Sequence, residues 1–526
     1  MSAHIAEARR LDPVIDLPVP EGVAGSVAWD RTNDTIYVER RRMGDPLLLT
    51  WIDRMRRTGQ RLKVEVREID EIAKMHTEGL GVSAGADDDL RTREQALQLL
   101  RTGAQLGASD IHLLIRNGFS EIQMRVKGGL RVLRRRLTAD EGESIARALF
   151  QGIATVKDQS YNPLLFQNAQ ISGEVLSGLG LSSIRLVRGP CFPQEQGGGF
   201  AILRLQYTHL GTRAPSPNDA APPIIDTPRT PTGSLRLDAM GYTAWQIEAL
   251  TMLACVPNGI ILFTGPTGSG KTTSLMEMLR HSARLAPERR QITIEDPVEY
   301  PMDWAVQLAV TNARTDDETG DAMAEMLRVG LRMDPDTILV GEIRGAGSAV
   351  SAINAALTGH QVWSTLHVTD PYLFVDRLEL MDAVGLNRRV FCDHTIVRGV
   401  VAQRLVPKLC PHCSVPAQAS DALPQRLRDS VATWCDMDQV RVRGPGCAAC
   451  SGDGISGRIA VAEVVVTDPV LMRDFVALGT EEARRRHRER ADTDGSLLEN
   501  AMNHVCRGHI DPRDVEKSVD LIVRRS

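Results

Sequence analysis

The sequence predicts an α/β fold: a parallel β-sheet with helices on both faces, preceded by smaller α/β or α+β units and carrying a cysteine-rich segment. Three observations predict it. From Leu235 onward, apolar strand-like stretches alternate with helical ones, the pattern of repeated βα units. A glycine-rich loop, Gly265-Pro266-Thr267-Gly268-Ser269-Gly270-Lys271-Thr272, follows the apolar run Gly259–Phe263 and precedes the helical stretch Ser274–Arg280. Two Cys-x-x-Cys pairs, Cys410/Cys413 and Cys447/Cys450, are separated by 33 residues.

The chain's 526 residues suffice for about three domains, each with its own core. With 42% apolar and 25% charged residues and a formal net charge of -5, it has no charge excess aimed at nucleic acid or an anionic membrane. The N-terminus lacks an apolar core with a cleavage site, and no run approaches the ~20 apolar residues of a spanning helix. A cytoplasmic location without membrane insertion is the expectation. Nine cysteines in so long a chain do not suggest a disulfide scaffold; four of them in Cys-x-x-Cys pairs suit a metal in a reducing compartment.

Residues 1–90 read as an N-terminal α/β docking module. Thr35–Glu39 and Arg61–Arg67 alternate as half-buried strands do, and Asp45-Pro46 starts a helix with Leu48, Leu49, Ile52 and Met55 on one face. Gly79–Asp89 reads as a linker. Residues 92–207 read as a second, α+β (PAS-like) domain, opening with a helix and Gly107-Ala-Ser-Asp-Ile-His112. Glu121–Val126, Leu130–Leu133, Ile184–Val187 and Phe200–Leu205 are its expected strands. Ser109, Asp110 and His112 have the residue types of a catalytic triad, but neighbours on a strand point to opposite faces, which favours a structural role. Six prolines between Pro215 and Pro231 mark 208–234 as an extended hinge. The unit from 235 to 526 contains the cysteine segment at 405–460 and C-terminal helices.

The chemistry of that last unit follows from its strand ends. With the glycine-rich loop on its first strand it reads as a RecA-like P-loop core binding ATP: Gly265 to Thr273 wrap the phosphates, Lys271 supplies a cation, and the Thr272 hydroxyl is a Mg²⁺ ligand. In an open parallel sheet the ligand lies beyond the carboxyl ends of the strands. Ile294-Glu-Asp-Pro-Val-Glu299 places three carboxylates there, and Ile338–Arg344 places Glu342, a candidate to orient or deprotonate the attacking water. His360 and His367 flank the strand Gln361–Leu366. Each could meet the γ-phosphate or a neighbouring subunit, or be a satisfied polar residue. Cys410, Cys413, Cys447 and Cys450 supply four thiolates for a structural, tetrahedral Zn²⁺, with Gly444, Gly446 and Gly452 permitting tight turns; Cys435 and His412 are the weaker alternatives. The basic run Arg484–Arg490 is flanked by Glu481, Glu482 and Asp492, and with 4% aromatic residues in the chain it reads as a solvated helix face rather than a nucleic-acid platform.

These motifs together resemble the bacterial type II secretion and type IV pilus assembly ATPases over about residues 92–520. The resemblance rests on Gly107–His112, Thr264–Thr273, Ile294–Glu299, Leu331–Asp336, Val340–Arg344, Thr358–His360 and Ser364–His367. It implies a cytoplasmic homohexamer, recruited to the inner membrane through a platform protein and other components of the cytoplasmic face, that spends ATP on assembling a pilin fibre. It further implies Glu299 and Glu342 as catalytic carboxylates, His360 and His367 as a histidine box, and Arg185 and Arg204 as arginines reaching the neighbouring subunit's phosphates. ATP is then expected between the second and third domains. The cysteine pairs resemble a segment of extension rather than retraction ATPases, and the divergent N-terminus and long hinge lean towards a type IVB or plasmid-type pilus. Gly345 departs from the family's acidic residue at that position. Rival readings are a zinc-containing nucleic-acid translocase, a pilus retraction ATPase and an ATP-binding scaffold with little turnover.

Overall fold

The computed structural model describes residues 19–30, 33–57, 62–76, 80, 86–133, 137–176, 178–208, 225–310 and 316–525. Among them the first unit is a sheet of β1 (Val27–Asp30), β2 (Thr35–Glu39) and β3 (Lys63–Arg67), in that order. β2 and β3 run parallel, which requires a crossover, and the helix Pro46–Arg57 provides it. Asp45 caps that helix by accepting from the Leu47 N–H. Leu48, Ile52 and Met55 are buried, but Leu49 is exposed and Trp51 takes its place in the core. Leu49 sits about 100° around the helix from Leu48, towards solvent.

The expected linker Gly79–Asp89 falls largely outside the described residues, and from Ala86 it is the start of the helix Ala86–Gln105. The second unit follows as an antiparallel sheet. Its strands are β4 (Asp110–Ile115), β5 (Ser120–Val126), β6 (Gly129–Leu133), β7 (Val156–Lys157), β8 (Gln167–Ser172), β9 (Leu181–Pro190), β10 (Gly199–Tyr207) and β11 (Ile225–Asp226). They are ordered β11-β6-β5-β4-β10-β9-β8-β7. Lys127 and Gly128, both left-handed (φ 52 and 83), make the two-residue turn that matches the twist of β5 and β6.

The two faces of this sheet have different partners. Ile111, Leu113, Ile122, Met124 and Leu203 pack under the helices Ala86–Gln105 and Ala139–Arg147. Leu114, Val187, Phe200 and Ile202 point the other way and share one core with the third unit's Ile292, Val306, Leu308 and Met333. Alternation along β4 and β10 thus makes one sheet serve two cores.

The third unit contains β12 (Gly259–Thr264), β13 (Gln291–Glu295), β14 (Val306–Ala309), β15 (Thr337–Val340), β16 (Gln361–Leu366), β17 (Val397–Leu409), β18 (Val415–Pro416), β19 (Arg441–Val442) and β20 (Ile455–Val466). Its main sheet is ordered β14-β13-β15-β16-β12-β17-β20, parallel except for β20. The central strands are buried on both faces and mostly apolar, as covered parallel strands are. β18 and β19 form a small ladder in the lobe carried between the ends of β17 and β20.

Residues 209–224 of the expected hinge lie outside the described residues; from Ile225 on it is docked against its neighbours. β11 pairs with β6, and Arg280 donates to the carbonyls of Thr232 and Ser234. The P-loop helix thereby holds the chain just after the prolines.

Candidate functional site

The phosphate-binding loop is shaped by its glycines. Gly265, Gly268 and Gly270 take φ of +140°, +77° and +84°. A Cβ on Gly265 would stand 2.4 Å from the Gln403 carbonyl, so this position needs glycine for space as well as for conformation. The helix Lys271–Leu285 starts directly at the loop, aiming its first free N–H groups and the positive end of its dipole at the site. Lys271 Nζ donates to the carbonyls of Gly265 and Pro266 at 2.8 and 2.9 Å. Burial lowers its pKa, and the charge of Glu342 opposes that shift. Thr272, on the first turn, is half-buried, and Thr273 Oγ1 lies 3.4 Å from Tyr300 Oη.

Glu342 stands past the end of β15, where it is gripped from two sides. Arg344 Nε donates to one carboxylate oxygen at 2.8 Å, and His367 Nε2 lies 2.9 Å from the other. His367 follows β16, so Lys271, Glu342 and His367 reach the same side of the sheet from three neighbouring strands. Of the Ile294–Glu299 carboxylates, Glu295 is buried, taking hydrogen bonds from Thr293 and Gln307, and burial raises its pKa. Glu299 is exposed beyond it.

His360 does not belong to this group. Its Nδ1 meets the Ala355 carbonyl and Thr358 Oγ1 at the end of the helix Ala346–Leu357, and its carbonyl accepts from Gly259 at the start of β12. A six-residue strand separates it from His367, roughly 20 Å. It caps a helix at the opposite end of the sheet from the P-loop.

Arg185 and Arg204 are paired across β9 and β10 on the face that meets the third unit. Arg204 donates to Asp110 at 2.8 Å and to Asp334 at 3.2 Å, while Arg185 is exposed. Asp334 precedes β15, whereas the P-loop follows β12, so both arginines face the sheet end away from the chain's own P-loop. The described contacts of the second unit with the third gather there and at the β14 edge: Leu130 N–H donates to Glu288, Phe192 N–H to Gln307. Those of the P-loop fall on β17. Within one chain, the described contacts therefore do not bring the second unit against the P-loop. Asp110 and His112, read as structural rather than as members of a triad, are interface residues, with His112 Nε2 3.1 Å from Asp334.

Sequence reasoning missed two groups. Gln403, buried in β17, accepts from Ser274 Oγ and Tyr242 Oη and donates to the Ser269 carbonyl, tying the P-loop to the neighbouring strand. Its signal was an amide directly after the apolar run Gly399–Ala402. Arg125 joins Asp334 and Asp336 across the units, and nothing in local spacing marks it.

The four cysteines converge. Sγ atoms of Cys410 and Cys447, Cys413 and Cys450, and Cys447 and Cys450 lie 3.8 Å apart, and all four within 4.8 Å of one another. Four thiolates at ~2.3 Å from one tetrahedral zinc would be about 3.8 Å apart, so the residues fit that ion. A Cβ on Gly444 would fall 1.7 Å from the Cys413 carbonyl, which explains the glycine. Cys435 is not a fifth candidate: it is disulfide-bonded to Cys506, 71 residues on, a bond the cysteine pattern did not suggest. The basic run is ion-paired internally: Arg485 and Arg486 with Glu482, Arg488 with Glu463 and Asp370, Arg490 with Asp468 and Asp492. Among the described residues no helix is long and apolar enough to cross a membrane.

The family described as "Type II/IV secretion system protein" matches residues 228–517. The "Type IV pilus assembly ATPase PilB" of Thermus thermophilus is 30% identical over 419 residues, 79% of this chain and 42% of that protein. The "Type II secretion system protein HxcR" of Pseudomonas aeruginosa is 38% identical over 277 residues, 52% of each. The chain spans about half the length of the curated relatives it matches. Among solved structures, that of the "Pilus Retraction Motor PilT and Bound ADP" is 21% identical, covering 80% of this chain and 96% of that one with a TM-score of 0.39. With more than half of its length matched, and with a P-loop and strand-end carboxylate placed as described, the chain belongs to the type II/IV secretion system protein family.

Proposed function

We propose that the chain is a Mg²⁺-dependent ATPase acting as the motor of a type IV pilus assembly or type II secretion machine. The observation that carries the reading is the meeting of Lys271, Glu342 and His367 beyond the carboxyl ends of three adjacent parallel strands. The amides at the start of the helix Lys271–Leu285 receive the phosphates, and Lys271 exchanges the Gly265 and Pro266 carbonyls for β- and γ-phosphate oxygens. Thr272 is placed to hold the Mg²⁺ that offsets phosphate charge. Glu342, its oxygens fixed by Arg344 and His367, orients the attacking water and accepts its proton. Glu299, exposed beside the Tyr300 contact to the P-loop helix, is the second carboxylate of the site.

Arg185 and Arg204 face away from their own P-loop, so any phosphate they neutralise belongs to another subunit, which suits a homohexamer whose turnover depends on ring closure. The tetracysteine lobe, with its thiolates at tetrahedral spacing, is read as a structural zinc site and favours extension over retraction. The partners are then an inner-membrane platform protein and other components at the cytoplasmic face.

The test is ATP turnover by the zinc-loaded protein with and without single- and double-stranded DNA at low salt. Turnover indifferent to DNA, lost in Glu342→Gln while ATP binding persists, is the expected result. Strong stimulation by DNA would replace the secretion motor with a nucleic-acid translocase, and wild-type turnover in Glu342→Gln would remove Glu342 from the chemistry.

A further inference from the structure

A cavity of about 710 Å³ opens between the second and third units, away from the P-loop. One wall is β5 and β6, the opposite wall is the approach to β13 with Arg289, Arg290 and Trp304, and Thr227–Pro231 closes a third side. We infer that this cavity binds a phosphate-bearing small molecule of nucleotide size, with the phosphate on Arg290 and a flat body against Trp304.

The charge at the floor points to an anion. Arg290 is only 2% exposed, its guanidinium donates to Gln123 Oε1, and its Nε–H has no hydrogen-bond partner among the described residues. A buried guanidinium whose side-chain partner is a neutral amide leaves its charge without hydrogen-bonded compensation. Arg116 and Arg289 line the same space. Burial first, and the like charge of Arg116 second, push the Arg290 pKa down to about 10, so the two guanidinium groups lie close enough to repel. An anion between them removes that repulsion.

The carboxylates near Arg290, Glu121 of the lining and Asp334 beyond it, act on it through charge and offset part of this repulsion. Glu121 takes a hydrogen bond from Gln123, Asp226 is half-exposed and Asp303 is exposed at the rim. Glu121 and Asp303 can accept from amino groups of a base. The apolar lining suits the rest of such a ligand. Trp304 has its indole fixed by a 3.1 Å hydrogen bond to Gln291, and Leu130 and Pro228 complete the apolar surface. The volume lies within the ~300–1,000 Å³ of small-molecule sites. Because an occupant touches both units and the proline-bearing segment Thr227–Pro231, it would clamp their packing.

The site can be tested apart from the P-loop. The full chain is first saturated with MgADP and then titrated calorimetrically with AMP, and separately with inorganic pyrophosphate. The inference expects an additional AMP site, weakened at least tenfold in Arg116→Ala/Arg289→Ala and abolished by Val132→Trp, which fills the cavity from the half-exposed edge of β6. MgADP binding stays at the wild-type value in both. Pyrophosphate binding at the same site with the same sensitivity to these variants also supports it. No binding of either probe to the saturated protein, or binding that neither variant weakens, overturns it. Should Val132→Trp not fold, the rim double variant alone decides. Absence of MgADP binding would sink the ATPase reading instead and leaves the AMP result readable.

Discussion

Asp334→Asn should loosen the second unit from the third without unfolding either. Asp334 lies 3.1 Å from His112, accepts from Arg125 Nε, and meets Arg204 at 3.2 Å. Burial alone raises its pKa, but His112 and Arg125 outweigh burial and hold it below the usual carboxylate value. Breaking a buried ion pair costs about 3–5 kcal/mol. Arg125 keeps Asp336 at 2.8 Å, which places the cost at the low end of that range, and the half-exposed Arg204 adds at most about 1 kcal/mol. A loss of about 3 kcal/mol follows. Asn is the right replacement because residue 334 has φ 56, a left-handed conformation that Asn tolerates; Ala should cost roughly 1 kcal/mol more.

The assay is amide hydrogen exchange at Leu130 and Phe192, whose N–H groups donate across the interface to Glu288 and Gln307. About 3 kcal/mol corresponds to roughly a hundredfold loss of protection at both. Amides pairing β4 with β10 inside the second unit serve as the control and should keep theirs. Unchanged protection at Leu130 and Phe192 would show that the network contributes nothing net. Equal loss in the β4–β10 ladder would show that the variant unfolds the whole unit.

His112 gives the same interface a pH dependence. Burial, with Arg290 next, lowers its pKa from 6.5 to about 4, so its contribution is complete above pH 6.5 and is lost as pH falls towards 4, by at most about 3 kcal/mol. Exchange at Leu130 and Phe192 should therefore speed up on acidification beyond its intrinsic pH trend, and His112→Gln should flatten that response. In the P-loop, Gln403→Leu strands the buried Ser269 carbonyl, at about 1–3 kcal/mol, and leaves Tyr242 Oη and Ser274 Oγ only each other, so MgADP affinity measured calorimetrically should fall about tenfold. Cys447→Ser should abolish stoichiometric zinc in the purified protein and lower the melting temperature of the lobe while MgADP binding persists; retention of zinc would contradict the tetrahedral site.

What the sequence made legible was whatever local spacing encodes. The P-loop, the cysteine pairs and the apolar βα repeats each fit within a short window, and the side chains they need are neighbours in the chain. Relations across windows were misread. His360 and His367 flank one strand in the sequence, but only the fold shows that the P-loop lies at the His367 end and leaves His360 to cap a helix. Leu49 fits an apolar face until Trp51 claims the core. Cys435 and Cys506, and Arg125 with Asp334, meet only because distant segments pack together. Alternation along β4 sets Asp110 and His112 on the opposite face from Ile111, yet it does not say that this second face would cover another unit.

The two ends of β15 bring these observations together. Asp336 immediately precedes this four-residue strand and pairs with Arg125 of the second unit; Glu342 stands two residues past its other end. Roughly 13 Å of strand separates the interface network from the carboxylate proposed to direct water. β15 is hydrogen-bonded on both sides, to β13 and β16, so it moves as a rigid piece of the sheet. Docking of the second unit then bears on Glu342 through position alone, while the P-loop, anchored to β17 through Gln403, is held independently. Asp334→Asn should consequently lower ATP turnover and leave MgADP affinity at the wild-type value. If affinity falls with turnover, the disturbance has spread through the whole sheet; if turnover does not change, the strand does not transmit it.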